Sequence, residues 1–595
     1  MSRKLLSLWF ALLINSTLLI HGQSPDAGPL YTMESHYVPA TNGTKLAVDV
    51  YFPRGQKDKE LPALFELTRY WRSAIYPKTG EPKPSLRNRD SLFLKHDYIL
   101  VKVDARGTGA SFGVRPGEYT PLEVMDAKYI LDWVVSKPWS DGQVGAYGTS
   151  YSGTTAELLC ATEHPAVKAV IPGWSDFDIY ESPGRPYGMV ATSFVAEWSK
   201  IVKWLDNNNT DAFNLSVRGV PGTPLEDAVA EHKDNPDVLD KAKKAPYKDS
   251  KFGQYTHEQC SPIHWQEEIS RSMVPMLVLA GWMDAGTAEG ALLRLNNFSN
   301  PQKVILMPTS HGGKSHSSTF LVSDQAMDPV PSVKTQLQLQ LDFFDHHLKG
   351  QDKGVEEWPT VQYYNFGEEA FRSTAVWPPE GQQRMKYYLA PANRLVTEEP
   401  TGRSGNDRYT VNYSATTGSN NRWTTQMGRD ILNLNDRRAA DSLLLTYTTG
   451  PMESDLQVTG TPWVTLQMSS DQEEGAVFVY MEEVGPDGTS RYLTEGGLLL
   501  QHRKLSDNPW SESVPYHSFK QTDASPMPLN QVQEVTFKLW PISVLIRKGH
   551  SLRIAIAGTD KDTFDRVPAK GTPVYTFYRT KEYPSFLNLP VISQD

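Results

Sequence analysis

Cysteine is scarce in this chain, with only Cys160 and Cys260 among 595 residues. Two thiols exclude a disulfide framework and a zinc cluster of thiolates, and leave open at most a single bridge between them. Basic runs and interleaved basic and aromatic residues are also lacking, and acidic residues outnumber basic residues by 69 to 59. A nucleic-acid partner is therefore not expected, and the net charge of -10 is typical of a protein kept soluble by its acidity.

Long apolar runs are missing beyond the N-terminus, so the mature chain is not expected to enter a membrane. At the N-terminus, Arg3 and Lys4 precede an apolar stretch over residues 5–20 that polar residues interrupt. This pattern predicts a signal peptide over residues 1–22 and a periplasmic or secreted mature protein. A membrane anchor is the alternative, and the short run with a polar middle disfavours it.

The length predicts two to four domains rather than one. From residue 37 to residue 175, apolar strand-like runs alternate with helix-like runs such as 122–135, which predicts a mostly parallel sheet with helices on both faces. A polar, helix-leaning stretch over 176–263 then predicts a cap over the active site, with a mobile linker as the alternative. After a helix-like segment at 335–348, apolar residues alternate with period two, which predicts an antiparallel β-sandwich, a jelly roll.

The hexapeptide Gly148-Thr-Ser-Tyr-Ser-Gly153 carries the clearest chemical signal. It follows a strand-like run and opens a helix-like run, which is the setting of a nucleophile elbow. Small residues around Ser150 allow the strand and the helix to approach closely, although Ser152 stands where the commonest motif has glycine. An ordinary glycine-rich turn is the alternative interpretation.

A serine nucleophile needs a histidine base and a carboxylate that orients the histidine. Asp284 follows the strand-like run 276–283 and His311 follows the run 304–310, so both lie at carboxyl ends of predicted strands. With Ser150 they give the chain order Ser, Asp, His of α/β-hydrolases. Taken singly, Asp284 is equally compatible with a helix N-cap and His311 with a turn residue.

The oxyanion of the tetrahedral intermediate needs two hydrogen-bond donors. The backbone N–H of Tyr151 is the first candidate. The early loop 68–72 has no glycine-rich run, so the hydroxyl of Tyr70 is the second, unless Tyr70 is only an aromatic wall. His316 is the rival base, and the sequence offers no metal-ligand cluster, so no metal or cofactor is expected.

Further motifs extend over nearly the whole chain in a fixed order. They are Asp104-Ala-Arg-Gly-Thr-Gly-Ala-Ser-Phe-Gly113, Gly281-Trp-Met-Asp284, Ser310-His311, Phe344-Asp-His-His-Leu-Lys-Gly350 and Gly549-His-Ser-Leu-Arg553. Together with the hexapeptide they resemble the serine hydrolases that include X-prolyl dipeptidyl peptidase, cocaine esterase, α-amino-acid ester hydrolase and glutaryl acylases of cephalosporin type.

The resemblance implies the α/β class: an α/β-hydrolase domain over residues 23–175 and 264–352, a helical cap over 176–263 and a jelly roll over 353–595. It also implies that Ser150, Asp284 and His311 match the triad and that Tyr70 matches the oxyanion tyrosine. The segment 104–113 then serves as a structural loop beside the site.

One departure bears on the substrate. Amino-ester hydrolases place a carboxylate soon after the oxyanion tyrosine, whereas here Trp71 and Arg72 follow Tyr70. Trp71, Arg72 and Trp174 are predicted to contact substrate, and the Arg69/Arg72 pair favours an acyl group that carries a carboxylate. Asp176 and two nearby acids are an alternative source of negative charge, or are solvated loop residues.

The sequence thus predicts an exported serine hydrolase that cleaves small acyl esters or amides. An X-prolyl dipeptidyl peptidase is the alternative within the class, and a carbohydrate-binding jelly-roll protein with an inert hydrolase domain is the alternative outside it. The expected partner is a small-molecule substrate, and a homo-oligomer is compatible with the sequence.

Overall fold

The structure is a computed structural model that describes residues 30–83, 86–323, 325–431, 434–511 and 513–593. The predicted signal peptide, residues 1–22, lies outside the described residues. Within the described ranges, no helix has both the length and the apolar character needed to cross a bilayer.

A ten-stranded sheet organises the first part of the chain. Its strands in chain order are β1 (Tyr31–Pro39), β2 (Lys45–Pro53), β3 (Leu61–Thr68), β4 (Ile99–Asp104), β5 (Ser140–Thr149), β6 (Val167–Gly173), β7 (Met276–Gly281), β8 (Gln302–Met307), β9 (Val361–Asn365) and β10 (Ala370–Thr374). They lie in the order β1-β2-β4-β3-β5-β6-β7-β8-β9-β10. From β4 to β9 every neighbouring pair is parallel, and the outer pairs are antiparallel. The predicted mostly parallel sheet is confirmed.

Helices cover both faces of this sheet, as the alternating pattern predicts. The helices in chain order are α1 (Asn88–Lys95), α2 (Pro121–Val135), α3 (Tyr151–Leu158), α4 (Thr192–Asp206), α5 (Thr210–Phe213), α6 (Leu225–Glu231), α7 (Val238–Lys244), α8 (Gln266–Ser272), α9 (Thr287–Asn297), α10 (Val333–Lys349) and α11 (Arg438–Asp441). On one face, Phe93 of α1 and Phe344 of α10 pack edge-on, with ring centroids 5.6 Å apart. Apolar side chains of α2, α3 and α9 belong to the core on the opposite face.

Five helices, α4 to α8, lie between β6 and β7, and the first four of them fall within the predicted cap, residues 176–263. The longest of them, α4, is absent from the sequence prediction, although its pattern is clear once its bounds are known. Phe194, Val195, Ile201, Val202 and Leu205 recur at helical spacing and are all buried. The helix contacts α7, and these side chains belong to the main hydrophobic core, so this stretch is packed rather than a mobile linker.

A second, thirteen-stranded sheet occupies the C-terminal part of the chain. Its strands are Gln382–Ala390, Arg394–Val396, Asn406–Thr410, Leu445–Thr448, Leu456–Gly460, Trp463–Ser470, Ala476–Val484, Ser490–Leu499, Gln533–Lys538, Ile542–Ile546, Ser551–Ala557, Val574–Tyr578 and Phe586–Ile592. Nearly all of its pairings are antiparallel. It forms the all-β jelly-roll part of the predicted fold class.

Two details differ from the simplest sequence interpretation. The predicted division at residue 352 falls before β9 and β10, which extend the first sheet, although the division into domains itself stays a prediction. Cys160 and Cys260 are both free and buried, so the bridge left open by the sequence is not formed. Burial raises the pKa of both thiols, which makes them unreactive core residues.

Candidate active site

The turn between β5 and α3 holds Ser150 in a strained backbone conformation. Its φ is 63° and its ψ is -128°, a region that a residue with a side chain seldom adopts. The strain lifts the serine to the carboxyl edge of the sheet, where its side chain is partly exposed. The structure therefore gives Ser150 the backbone geometry of the predicted nucleophile elbow.

Two glycines make this turn possible because side chains would collide there. A Cβ atom at Gly148 would lie 2.0 Å from the backbone of Ser152, and a Cβ atom at Gly153 would lie 2.5 Å from the carbonyl oxygen of Gly173. The small residues of the hexapeptide thus have the steric role that the sequence predicts for them. Ser152 itself is tolerated, and it is buried in the first turn of α3.

Asp284 and His311 meet although 27 residues separate them in the chain. The Nδ1 atom of His311 lies 2.8 Å from Oδ2 of Asp284, and the two residues are 6% and 0% exposed. His311 and Ser150 line the same cavity. An imidazole held by a buried carboxylate at Nδ1 presents Nε2 as a proton acceptor, which is the arrangement a general base requires.

The C-terminal part of the chain holds the second oxygen of Asp284. Thr425 Oγ lies 2.8 Å from Oδ1 of Asp284. In the same segment, Arg422 accepts from the backbone N–H of Ala285 over 2.9 Å and donates to the carbonyl oxygen of Trp282 over 3.0 Å. We call residues 421–427 the clamp segment. No sequence motif marks Thr425 or Arg422, and the sequence analysis misses both.

Tyr70 lies immediately beyond β3, beside the elbow. Its hydroxyl oxygen accepts a hydrogen bond of 3.0 Å from the indole N–H of Trp198 in the cap, and the Ser150 side chain lies within its hydrogen-bonding range. Burial raises the pKa of Tyr70, so the hydroxyl keeps its proton at neutral pH. With its oxygen engaged by Trp198, the hydroxyl can direct that proton toward the reacting centre. Trp198, like Thr425 and Arg422, could not be found from the sequence, because cap helices carry no recognisable motif.

Tyr151 follows Ser150 as the first residue of α3. Backbone N–H groups of a first helical turn lack carbonyl partners within the helix, so the N–H of Tyr151 is suited to an anionic oxygen. The hydroxyl of the Tyr151 side chain donates to the carboxylate of Glu123, and its oxygen lies 2.8 Å from each carboxylate oxygen. This contact fixes the side chain. Burial raises the pKa of Glu123 to about 7.

The two arginines near Tyr70 are neutralised by buried acids. Arg72 donates to Asp49 over 2.9 Å and to Asp104 over 2.7 Å, and its side chain is fully buried. Arg69 is paired in the same way, with Glu118 and Asp206. The hypothesis that this pair receives a substrate carboxylate therefore finds no support in the structure. Asp104 also accepts from the N–H of Ala110, which fits the structural role expected of the 104–113 loop.

A cavity of about 500 Å³ opens between the elbow and the cap. Trp71, Arg72 and Trp174, the three residues predicted to contact substrate, line it, and the cap adds Phe194 and Trp198. Asp176 also lines the cavity, and burial raises its pKa to about 7. The two acids that follow are engaged elsewhere: Asp178 pairs with Lys248, and Glu181 pairs with Lys538.

His316, the rival base, occupies a different environment. Its Nδ1 accepts from the backbone N–H of Ser318 over 3.1 Å, and burial lowers its pKa to about 4. It is a structural residue of the loop that follows His311. Over the described part of the chain, no three or more histidine, cysteine, aspartate or glutamate side chains converge in a way that could hold a metal ion.

Comparisons with known proteins match both parts of the chain. Residues 42–313 match the family model described as X-Pro dipeptidyl-peptidase (S15 family), and residues 353–588 match the X-Pro dipeptidyl-peptidase C-terminal non-catalytic domain. A Mycobacterium bovis protein named as a candidate serine esterase is 34% identical, with coverage of 94% of this chain and 95% of that protein.

More distant relatives match over similar lengths. The cocaine esterase of a Rhodococcus species is 23% identical, with coverage of 94% of this chain and 98% of the esterase. The solved structure of an α-amino acid ester hydrolase superposes with a TM-score of 0.72 at 20% identity, and covers 97% of this chain and 99% of its own. The structural match shows that the fold is shared over the full length.

Proposed function

The chain belongs to the serine-hydrolase family of X-Pro dipeptidyl-peptidases, cocaine esterase and α-amino-acid ester hydrolases, and from this premise we propose that it cleaves small acyl esters or amides through an acyl-enzyme. One observation carries the proposal. Ser150, on a strained strand-to-helix turn, lines the same cavity as an imidazole that a buried carboxylate holds at Nδ1.

In the proposed reaction, Oγ of Ser150 attacks the carbonyl carbon of the substrate while Nε2 of His311 takes the hydroxyl proton. Asp284 holds Nδ1–H and stabilises the imidazolium that forms. The tetrahedral oxyanion receives hydrogen bonds from the hydroxyl of Tyr70 and the N–H of Tyr151. Collapse of the intermediate breaks the bond to the leaving alcohol or amine, which takes the proton back from His311.

A second half-reaction releases the acyl group. Water attacks the acyl-enzyme, His311 takes one proton from that water, and a second oxyanion forms in the same place. Collapse returns the proton to Oγ of Ser150 and frees the carboxylic acid. The balance is one water consumed for each ester or amide bond cleaved, and no redox step or cofactor enters it.

The cavity supports small substrates rather than long chains. Its volume of about 500 Å³ lies in the usual range of small-molecule pockets, and aromatic side chains form much of its wall. Trp71 and Trp174 are the proposed apolar contacts to the substrate. Arg72 also lines the cavity, and its ion pairs with Asp49 and Asp104 hold the loop in place.

An X-prolyl dipeptidyl peptidase is the second candidate, and Asp176 is the observation that favours it. A peptidase of this kind must anchor a free amino terminus, and Asp176 offers a carboxyl group on the cavity wall. Because burial raises its pKa to about 7, this carboxyl is only partly ionised at neutral pH, which weakens it as an ammonium anchor.

Labelling with a fluorophosphonate probe, followed by a substrate panel, tests the proposal. The panel holds chromogenic butyryl esters, an anilide of a neutral acid and glycyl-prolyl anilide. We expect the probe to mark the wild type and the control Ser272→Ala, in which a remote serine is removed, but not Ser150→Ala. Ester turnover should dominate and vanish in Ser150→Ala.

Each other outcome has a defined meaning. No adduct on Ser150 and no turnover would contradict the proposal and favour a binding protein with an inert hydrolase domain. Dominant glycyl-prolyl cleavage would favour the peptidase.

Export is also proposed, and its support is the N-terminal sequence alone. Mass spectrometry of the N-terminus in fractionated cells tests it. A periplasmic or secreted chain that begins at Gln23 is the expected result, and a cytosolic chain that keeps residues 1–22 would contradict it.

A further inference from the structure

Basic side chains are frequent in the cavity wall. Lys83, Arg87, Arg89, Lys102 and Lys314 all line the cavity. We call these five residues the cationic end. Its described ion-pair partners are two acids. Glu66 pairs with Arg87 and Lys102, and Asp90 pairs with Lys102. The remaining three basic residues have no such carboxylate partner among the described residues.

Lys83 is the most unusual member of the cationic end. It is 5% exposed, yet its ammonium group has no hydrogen-bond partner among the described residues. Its backbone N–H donates to the carbonyl oxygen of Ala74, which ties Lys83 to the loop that carries Tyr70 and Trp71. Burial lowers the pKa of Lys83 to about 8. A buried ammonium without a partner costs folding free energy, so this group requires an explanation.

Arg89 repeats this situation on α1. Arg89 is 8% exposed, and its Nε and Nη2 atoms have no hydrogen-bond partner within the described ranges. The guanidinium lies 4.5 Å from the ring centroid of Tyr147, and Nη1 makes only a long contact of 3.5 Å with Gln340. Two donors of Arg89 are therefore buried and unused in a cavity wall.

Lys314 connects the cationic end to the reacting centre. It stands three positions after His311 and is exposed toward the cavity that it lines. A Cβ atom at Gly312 would lie 3.6 Å from Cε of Lys314 and 3.5 Å from the methyl carbon of Thr149, so the lysine passes close to the elbow. Burial and the charge of Arg87 lower the pKa of Lys314.

We propose that the cationic end is a subsite for a carboxylate of the substrate, so that the preferred ester or amide carries an anionic group at one end. The inference rests on the proposed function, because the same cavity holds Ser150. A carboxylate accepts charge-assisted hydrogen bonds from lysine and arginine. Lys83 and Arg89 both line the cavity, and each has buried donors without a partner among the described residues. Arg69 and Arg72 serve no such purpose, since acids already neutralise them.

Matched substrate pairs test the subsite. On the acyl side, the p-nitrophenyl monoester of glutarate is compared with p-nitrophenyl valerate. On the leaving-group side, 4-butyryloxybenzoate is compared with 4-butyryloxybenzamide. In at least one pair, we expect the wild type to have about 10- to 100-fold higher kcat/KM on the anionic member.

Three variants separate the subsite from general effects. Lys83→Met and Arg89→Met should remove most of the anionic preference and leave kcat/KM on the neutral member within about threefold. Lys78→Met is the matched control, since Lys78 is an exposed lysine of the same loop, and it should change neither substrate. Equal losses on both members of a pair would overturn the inference.

A binding measurement tests the subsite even if none of the substrates is hydrolysed. Free glutarate is titrated calorimetrically into the wild type and into Ser150→Ala. Affinity that Lys83→Met or Arg89→Met lowers by about tenfold supports the subsite, and unchanged affinity or no binding to the wild type overturns it. If the wild type hydrolyses neutral esters through Ser150 without preferring either anionic substrate, the subsite fails and the proposed function stands. If no ester or amide is hydrolysed, the proposed function fails and glutarate binding decides on the subsite.

Discussion

Replacing Tyr70 with phenylalanine removes one hydroxyl group and tests the proposed oxyanion hole directly. The hydroxyl oxygen accepts from the Trp198 indole over 3.0 Å, and burial raises the pKa of Tyr70, so the group donates as a neutral phenol. The phenyl ring of the variant retains the packing of Tyr70 against Tyr151, whose ring centroid lies 6.1 Å away. The change therefore isolates a single hydrogen-bond donor.

The size of the expected effect follows from what the donor stabilises. Loss of one oxyanion donor typically lowers kcat by about 10²- to 10³-fold, or about 2.7–4 kcal/mol of transition-state stabilisation. The Michaelis constant should change little, because the ground-state carbonyl gains less from this hydrogen bond than the oxyanion does. Folding stability should fall by about 1 kcal/mol, since only the half-buried Trp198 indole loses its acceptor.

Steady-state kinetics on a chromogenic butyryl ester, with thermal unfolding of the same samples, checks this prediction. Tyr180→Phe is the matched control. Tyr180 is a buried tyrosine whose hydroxyl donates to the carbonyl oxygen of Pro246 over 2.8 Å, so its loss should lower stability and leave kcat within about twofold. A Tyr70→Phe enzyme with nearly wild-type kcat would refute the role assigned to the hydroxyl.

Three further predictions concern residues around the site. Thr425→Val should lower kcat about tenfold, because it removes the hydroxyl that donates to Asp284. Thr425→Ser keeps the hydroxyl and should retain activity. Thr424→Val, which removes a hydroxyl that contacts Ser419 instead, is the control in the same kinetic assay. Glu123 has its pKa raised by burial from 4.5 to about 7, so its contribution to stability is present below pH 4.5 and is lost as the pH rises through about 7. Glu123→Gln should therefore raise the free energy of unfolding at pH 8 by up to about 3 kcal/mol and leave it unchanged at pH 4.5. Chemical unfolding at both pH values measures this, and equal gains at the two pH values would contradict the prediction. Lys83→Met should stabilise the protein at pH 7 by about 1–3 kcal/mol, because burial disfavours the ammonium, for which the described residues offer no hydrogen-bond partner. A loss of stability in chemical unfolding would contradict this prediction.

Positions at strand ends could be predicted from sequence because the fold dictates them. Tyr70, Ser150 and His311 each follow a short apolar run bounded by breakers, and the carboxyl ends of parallel strands share one edge of a sheet. The structure places these three around one cavity and brings Asp284 to His311. The mostly parallel sheet and the strained turn at Ser150 could be predicted from these local patterns, whereas the order of the strands in the sheet was not predicted.

Long-range polar contacts could not be predicted in this way. Whether Arg72 is free or paired depends on Asp49 and Asp104, which come from two other strands, and nothing in the local sequence reveals the pairing. The same holds for Trp198, because a cap helix is positioned by its packing rather than by a motif. Lys83 is a buried lysine whose ammonium group has no hydrogen-bond partner among the described residues, and that is a property of the folded chain.

The clamp segment connects the C-terminal part of the chain to the loop that carries Asp284. Arg422 and Thr425 secure the turn that bears the acid, although they belong to the C-terminal part of the chain. A fragment that ends after the first sheet would contain all the side chains of the proposed reaction. It would still lack Arg422 and Thr425, which hold Asp284 and its turn in place. Laboratory evolution for faster turnover should therefore vary residues 421–427 together with those of the hydrolase domain. A hydrolase domain that is shortened to exclude these residues is a poor starting point.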